Sequence, residues 1–80
     1  MTWNYRVVKR KILGEGVYEI REVHYDGTGE VDAWIADAID PGGLTKGELR
    51  RDLELMLEAL DRPALNLDKL EKKLARRAAK

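Results

Sequence analysis

Hydrophobic and polar positions alternate along the first 36 residues in three runs, 3–12, 17–25 and 30–36, each rich in β-branched and aromatic residues. That period suits strands with one face buried. Three clusters punctuate the runs: Gly14-Glu15-Gly16, Asp26-Gly27-Thr28-Gly29 and Asp40-Pro41-Gly42-Gly43. Gly and Asp supply the turn conformations that other residues resist. The pattern predicts a three-stranded antiparallel meander.

The second turn predicts a register. Asp26 and Gly29 stand at the first and fourth positions of a type I turn, the signature of a loop closed by a bulged, left-handed glycine. It sets Tyr25 opposite Val31, Val23 opposite Ala33, and Arg21 opposite Ile35. One face then carries Val17, Val23, Tyr25, Val31, Ala33 and Ile35, with Arg21 placed near an edge. The reverse face carries Tyr18, Ile20, Glu22, His24, Asp32, Trp34 and Ala36.

Beyond residue 44 the period lengthens. Thr45 is the N-cap of a helix, Glu48 completes a capping box, and Leu44 and Leu49 form a hydrophobic staple. Leu49, Leu53, Met56, Leu57 and Leu60 recur on one stripe, predicted to cover the apolar face of the sheet. Leu55 lies about 240° around from Leu49, among charged residues. Pro63 disfavours helix at Arg62, so this helix spans Thr45–Asp61. Asn66 caps a second helix over 67–78. Its narrow stripe is Leu67, Leu70, Leu74, Ala75 and Ala78, against Lys69, Lys72, Lys73, Arg76 and Arg77. The expected architecture is α+β, β-β-β-α-α: a three-stranded antiparallel meander packed by one amphipathic helix, then a second short C-terminal helix. All 80 residues form a single domain.

Charge adds an asymmetry. The net charge is zero. Residues 66–80 nevertheless carry six basic and two acidic side chains, a balance of +4, against nine and thirteen, or −4, in residues 1–65. Lys72, Lys73, Arg76 and Arg77 are therefore the candidate nucleic-acid contacts, weighed against a plain solvated face.

Composition removes classes of chemistry. The chain has no Cys, Ser or Gln, and one His. Ser/His and Cys/His nucleophile pairs are excluded, as are disulfides and thiolate metal sites. Glu22, His24, Asp26 and Asp32 are the sharpest polar cluster, but one nitrogen ligand among scattered acids is a poor metal set. The glycine clusters lack the βαβ and Lys-Ser/Thr context of phosphate loops. The expectation is a non-enzyme with no catalytic residues, metal or cofactor. Without a signal-like start or a segment of roughly 20 apolar residues, it is also expected to be cytoplasmic. Aromatic and apolar residues on the reverse face, Tyr18, Ile20 and Trp34 with Glu22 at the rim, mark a candidate partner-binding patch. The half-open sheet suggests a homodimer or a complex with another protein.

Gly43-Leu44-Thr45-Lys46-Gly47-Glu48, opening the Leu49 to Leu60 helix after three strands, resembles the helix entry of HicB-type antitoxin domains. The resemblance covers roughly residues 5–61. It implies a partial RNase H-like sheet packed by a helix, and a non-enzymatic protein that neutralises a partner ribonuclease. Antitoxins of that type carry a separate DNA-binding domain after the sheet; here one short basic helix follows. Trp3–Val8, Tyr18–Val23, Ala33-Trp34 and Leu53–Leu60 also resemble a family of short uncharacterised bacterial proteins. The expected function is stoichiometric inhibition of a partner, antitoxin-like. The alternatives are a phage-encoded, anti-CRISPR-type inhibitor of a nucleic-acid-guided defence complex, and a weak nucleic-acid-binding module using the basic helix.

Overall fold

In the computed structural model, which describes residues 2–78 with side chains through residue 76, the chain is α+β, with a four-stranded mixed sheet and two helices. The strands are β1 (Trp3–Ile12), β2 (Glu15–Tyr25), β3 (Val31–Trp34) and β4 (Leu65–Asn66). The helices are α1 (Lys46–Ala59) and α2 (Leu67–Ala78). The sheet order is β3-β2-β1-β4. The meander is as expected; β4 is an addition, pairing parallel to β1 through Val8↔Leu65 and Lys9↔Asn66. The chain thus crosses by way of α1 from one edge of the sheet to the other.

β1 and β2 pair along their whole length, from Trp3↔His24 to Ile12↔Glu15. Their connection is two residues, Leu13 and Gly14, at φ 51° and 84°. Positive φ at both positions matches the right-handed twist of the flanking strands. Turn chemistry at the next hairpin follows the sequence. Gly29 has φ 85°, its N–H donates to the Asp26 carbonyl, and the Asp26 carboxylate accepts from Thr28 and Glu30.

The register holds for one pair and then slips. Tyr25 faces Val31, but His24 faces Ala33 and Val23 faces Trp34. Asp32 is the extra residue of a β-bulge, and everything after it changes face. Trp34 therefore shares the side of Val23 and Arg21, and Ala33 lies on the opposite side.

The two sides of the sheet follow from these pairings. One, the Val8 side, carries Arg6, Val8 and Arg10 of β1 and Val17, Glu19, Arg21, Val23 and Tyr25 of β2. The other, the Tyr5 side, carries Trp3, Tyr5, Val7 and Lys9 beside Tyr18, Ile20, Glu22 and His24. Helix α1 lies on the Tyr5 side, where the Tyr5 hydroxyl donates to Asp52 at 2.6 Å. Helix α2 also packs on β1. It and the segment after β3 are left to cover the Val8 side, where Val8, Val23 and Arg21 are buried. The expectation that α1 covers the Val17/Val23/Tyr25 face is thus corrected. The buried apolar side chains are Val7, Val8, Val23, Met56, Ala59 and Leu67, a small core drawn from the sheet and both helices.

Candidate protein-binding surfaces

Thr45 caps α1 as expected: its hydroxyl accepts from the Glu48 N–H, while the Glu48 carboxylate accepts from the Leu44 N–H. The staple does not close, because Leu44 is 97% exposed. A Cβ on Gly43 would sit 2.6 Å from that of Glu48, so only glycine lets the chain enter this close to the first turn. Leu60 ends the helix three residues before Pro63.

The rotation of α1 about its axis differs from the expectation. Asp52, Met56 and Ala59 recur at i, i+4 and i+7. Met56 and Ala59 are buried, and Asp52 is half-buried against Tyr5. Ala59, the smallest of the stripe, brings the helix close to the sheet. Leu55, the odd residue of the sequence pattern, lines a depression with Trp3, Asn4, Tyr5, Glu58 and Arg62. The leucines expected inside are rotated outward: Leu49, Leu53, Leu57 and Leu60 are 36%, 48%, 66% and 63% exposed. They form one continuous stripe along 12 residues. Sequence reasoning found this stripe but assigned it to the core. Asp52 was the signal against that, since a carboxylate facing the sheet needs a buried donor, and Tyr5 supplies it.

The bond shifts both groups. Asp52 accepts from Tyr5 and from the Gly42 N–H, which holds its carboxyl below the usual carboxylate range. The Tyr5 phenol is pushed up to about 12, first by its bond to Asp52 and then by burial.

The predicted partner patch is only partly assembled. Tyr18, Ile20 and Glu22 share the Tyr5 side of the sheet, while the bulge at Asp32 carries Trp34 to the other side. Tyr18 is largely exposed, with the Lys9 ammonium 5.4 Å from its ring centroid. Ile20 is half-buried across from Val7. Glu22 lies 3.4 Å from His24. Asp32 stands in the bulge and Asp26 is consumed by its turn. Among the described residues no three His, Cys, Asp or Glu side chains gather closely enough to hold a metal ion.

The basic helix begins as predicted, with the Asn66 carbonyl oxygen accepting from the Lys69 N–H. Lys72, Lys73 and Arg76 are exposed; the side chain of Arg77 lies outside the described residues. Lys73 pairs with Glu30 at 3.2 Å. Lys72 joins Lys11 and Lys69 around an open groove that also contains Asn66, Asp68 and Glu71.

Arg21, expected near an edge, is instead 1% exposed. Its guanidinium donates to the carbonyls of Ile35 (2.9 Å) and Ala36 (2.5 Å) and to Glu19 (2.9 Å). Glu19 also takes Arg10 at 2.8 Å. The bond from Arg21, ahead of that from Arg10, holds the Glu19 carboxyl below its ordinary value. A buried guanidinium needs such partners, because an unpaired charge in the interior is costly. Here it ties the segment after β3 to β2. Among the described residues no helix is long and apolar enough to cross a membrane. No protein-family model, curated protein or solved structure matches the chain.

Proposed function

We propose that the protein is a small non-catalytic binding module that inhibits a partner protein stoichiometrically, in the manner of an antitoxin. The observation that carries this reading is the uncovered part of the Tyr5 side. There Tyr18 stands exposed beside Ile20, with Lys9, Glu22 and His24 around them. An aromatic anchor with an apolar neighbour and a charged rim is the usual composition of a binding hot spot. The sheet crossed by a single helix is in keeping with the architecture that the HicB-type resemblance implies. A tagged pull-down from the native host, with mass spectrometry of the retained proteins, tests the reading. Capture of a small ribonuclease, lost in Tyr18→Ala/Ile20→Ala, supports it. Capture of a multi-subunit ribonucleoprotein, lost in the same variant, favours the defence-complex form. A partner held equally by wild type and variant contradicts the assignment of the patch.

A second reading rests on the groove shared by Lys11, Lys69 and Lys72, a basic surface that suits a phosphate backbone. Nucleic-acid binding through it falls steeply with added salt and is weakened by Lys69→Glu/Lys72→Glu. Salt-insensitive binding contradicts it.

A further inference from the structure

The leucine stripe of α1 is an ordered apolar feature that the fold leaves uncovered, and its surroundings indicate what covers it. With about 100° per residue, Lys46, Arg50, Glu54 and Asp61 all fall on the flank of the stripe that faces away from the sheet. Each of these side chains is exposed. Along that flank the signs are segregated. Lys46 and Arg50 occupy the first half of the helix; Glu54 opens its second half and Asp61 stands in the turn just past its end.

Such a flank is complementary to itself when reversed. In an antiparallel helix pair each flank meets its own copy running the other way, so basic halves lie beside acidic ends. A parallel pair sets each flank against the opposite one and gains nothing from this segregation. The stripe is also nearly symmetric about a point near residues 54 and 55. Reversal brings Leu49 of one copy level with Leu60 of the other and Leu53 within one residue of Leu57. Antiparallel helix dipoles favour the same arrangement.

Four leucines alone do not reach the roughly 800 Å² per partner of a standard interface, so the pair also draws on their neighbours. Leu44, almost fully exposed just before the cap, offers a further apolar side chain at the start of the helix. The stems of Lys46 and Arg50 add apolar cover beside it.

We infer that the occupant of this stripe is a second copy of the chain, docked as an antiparallel α1–α1 pair about a two-fold axis near residues 54–55. The inference does not depend on the inhibitor reading, since it is tested on the protein alone.

Sedimentation equilibrium of the full chain between about 1 and 100 μM provides the test. The expected result is a mass rising toward twice the 9.2 kDa of the chain. Leu53→Glu/Leu57→Glu is expected to remain at the monomer mass, with an unchanged circular dichroism spectrum. Charge reversal reads the orientation at exposed positions that do not challenge the fold. Arg50→Glu sets like charges together and weakens association on the order of tenfold or more; adding Asp61→Arg restores it. A wild-type monomer throughout the range overturns the proposal. So does a dimer that survives both leucine substitutions, or an Arg50→Glu loss that Asp61→Arg does not recover.

Discussion

The two helices have opposite relations between composition and burial. Helix α1 is the richer in leucine and has the complete set of cap signals, yet of its leucines none is buried; Met56 and Ala59 make its contact with the sheet. Helix α2 is the more charged and reads as a peripheral tail, yet its first residue, Leu67, is 2% exposed. The difference lies in how each helix is attached. Helix α2 follows directly from β4, so Leu67 enters the core as soon as the strand pairs with Val8 and Lys9. Helix α1 arrives through a long exposed loop. Its rotation is set by contacts that periodicity does not weigh: the Tyr5–Asp52 bond, the small Ala59, and Leu55 beside Trp3 and Tyr5. Apolar content shows that a helix has a hydrophobic face. It does not show whether that face belongs to this chain's core or to another surface.

The strongest way to disturb the Val8 side of the sheet is to remove its buried charge. Arg21→Ala is expected to cost about 4 kcal/mol, because it empties a buried site, takes one of two cationic partners from Glu19 and leaves two backbone carbonyls without their donor. Equilibrium urea unfolding measures this, and a loss below about 1 kcal/mol contradicts the assigned role. Leu67→Ala is expected to cost about 3 kcal/mol, the usual value for emptying a packed leucine site. In thermal melts of a chain this size that is roughly 12–24 °C.

On the α1 side the effects are smaller. Tyr5→Phe removes one hydrogen bond and is expected to cost about 1 kcal/mol near neutral pH. The substitution also flattens the acid limb of the stability curve. Asp52 and Glu19 have folded-state values below their unfolded ones, so their contributions are present at neutral pH and fade as the pH falls through the carboxylate range. Without the Tyr5 donor, the Asp52 part of that loss shrinks while the Glu19 part remains. At the alkaline end the sign reverses for Tyr5. Its raised value stabilises below pH 10, and that contribution is lost as the pH approaches about 12. Unfolding followed from pH 2 to 7 distinguishes wild type from Tyr5→Phe; identical slopes contradict the coupling. Smallest of all, Leu57→Ala is expected to change the stability of the isolated monomer by less than about 0.5 kcal/mol.

Much of the frame was legible because its signals are local. The three strand runs, the Asp26–Gly29 turn, the Thr45 and Asn66 caps and the stop before Pro63 each depend on residues a few positions apart. The remainder depends on partners far away in the chain. The bulge at Asp32 has no mark in its own sequence, yet it carries Trp34 away from Tyr18 and Ile20 and so breaks up the predicted patch. β4 is two residues long, too short for any period, and exists because β1 offers it an edge. Arg21 looks misplaced on an apolar face until the carbonyls of Ile35 and Ala36 are seen above it. The leucine stripe of α1 was visible in full, but its destination was not, since that turned on whether Asp52 had a donor on β1.

The most direct test of the contrast between the helices is the concentration dependence of the thermal midpoint, followed over a hundredfold range for wild type, Leu67→Ala and Leu57→Ala. Self-association stabilises by mass action, so an interface residue carries a concentration dependence that a core residue does not. The wild-type midpoint should rise with concentration. Leu67→Ala should lie well below it with the same slope, and Leu57→Ala should match the wild type when dilute and fall behind when concentrated. A Leu57→Ala midpoint as low as that of Leu67→Ala at every concentration would contradict the account, placing the stripe of α1 in the core after all.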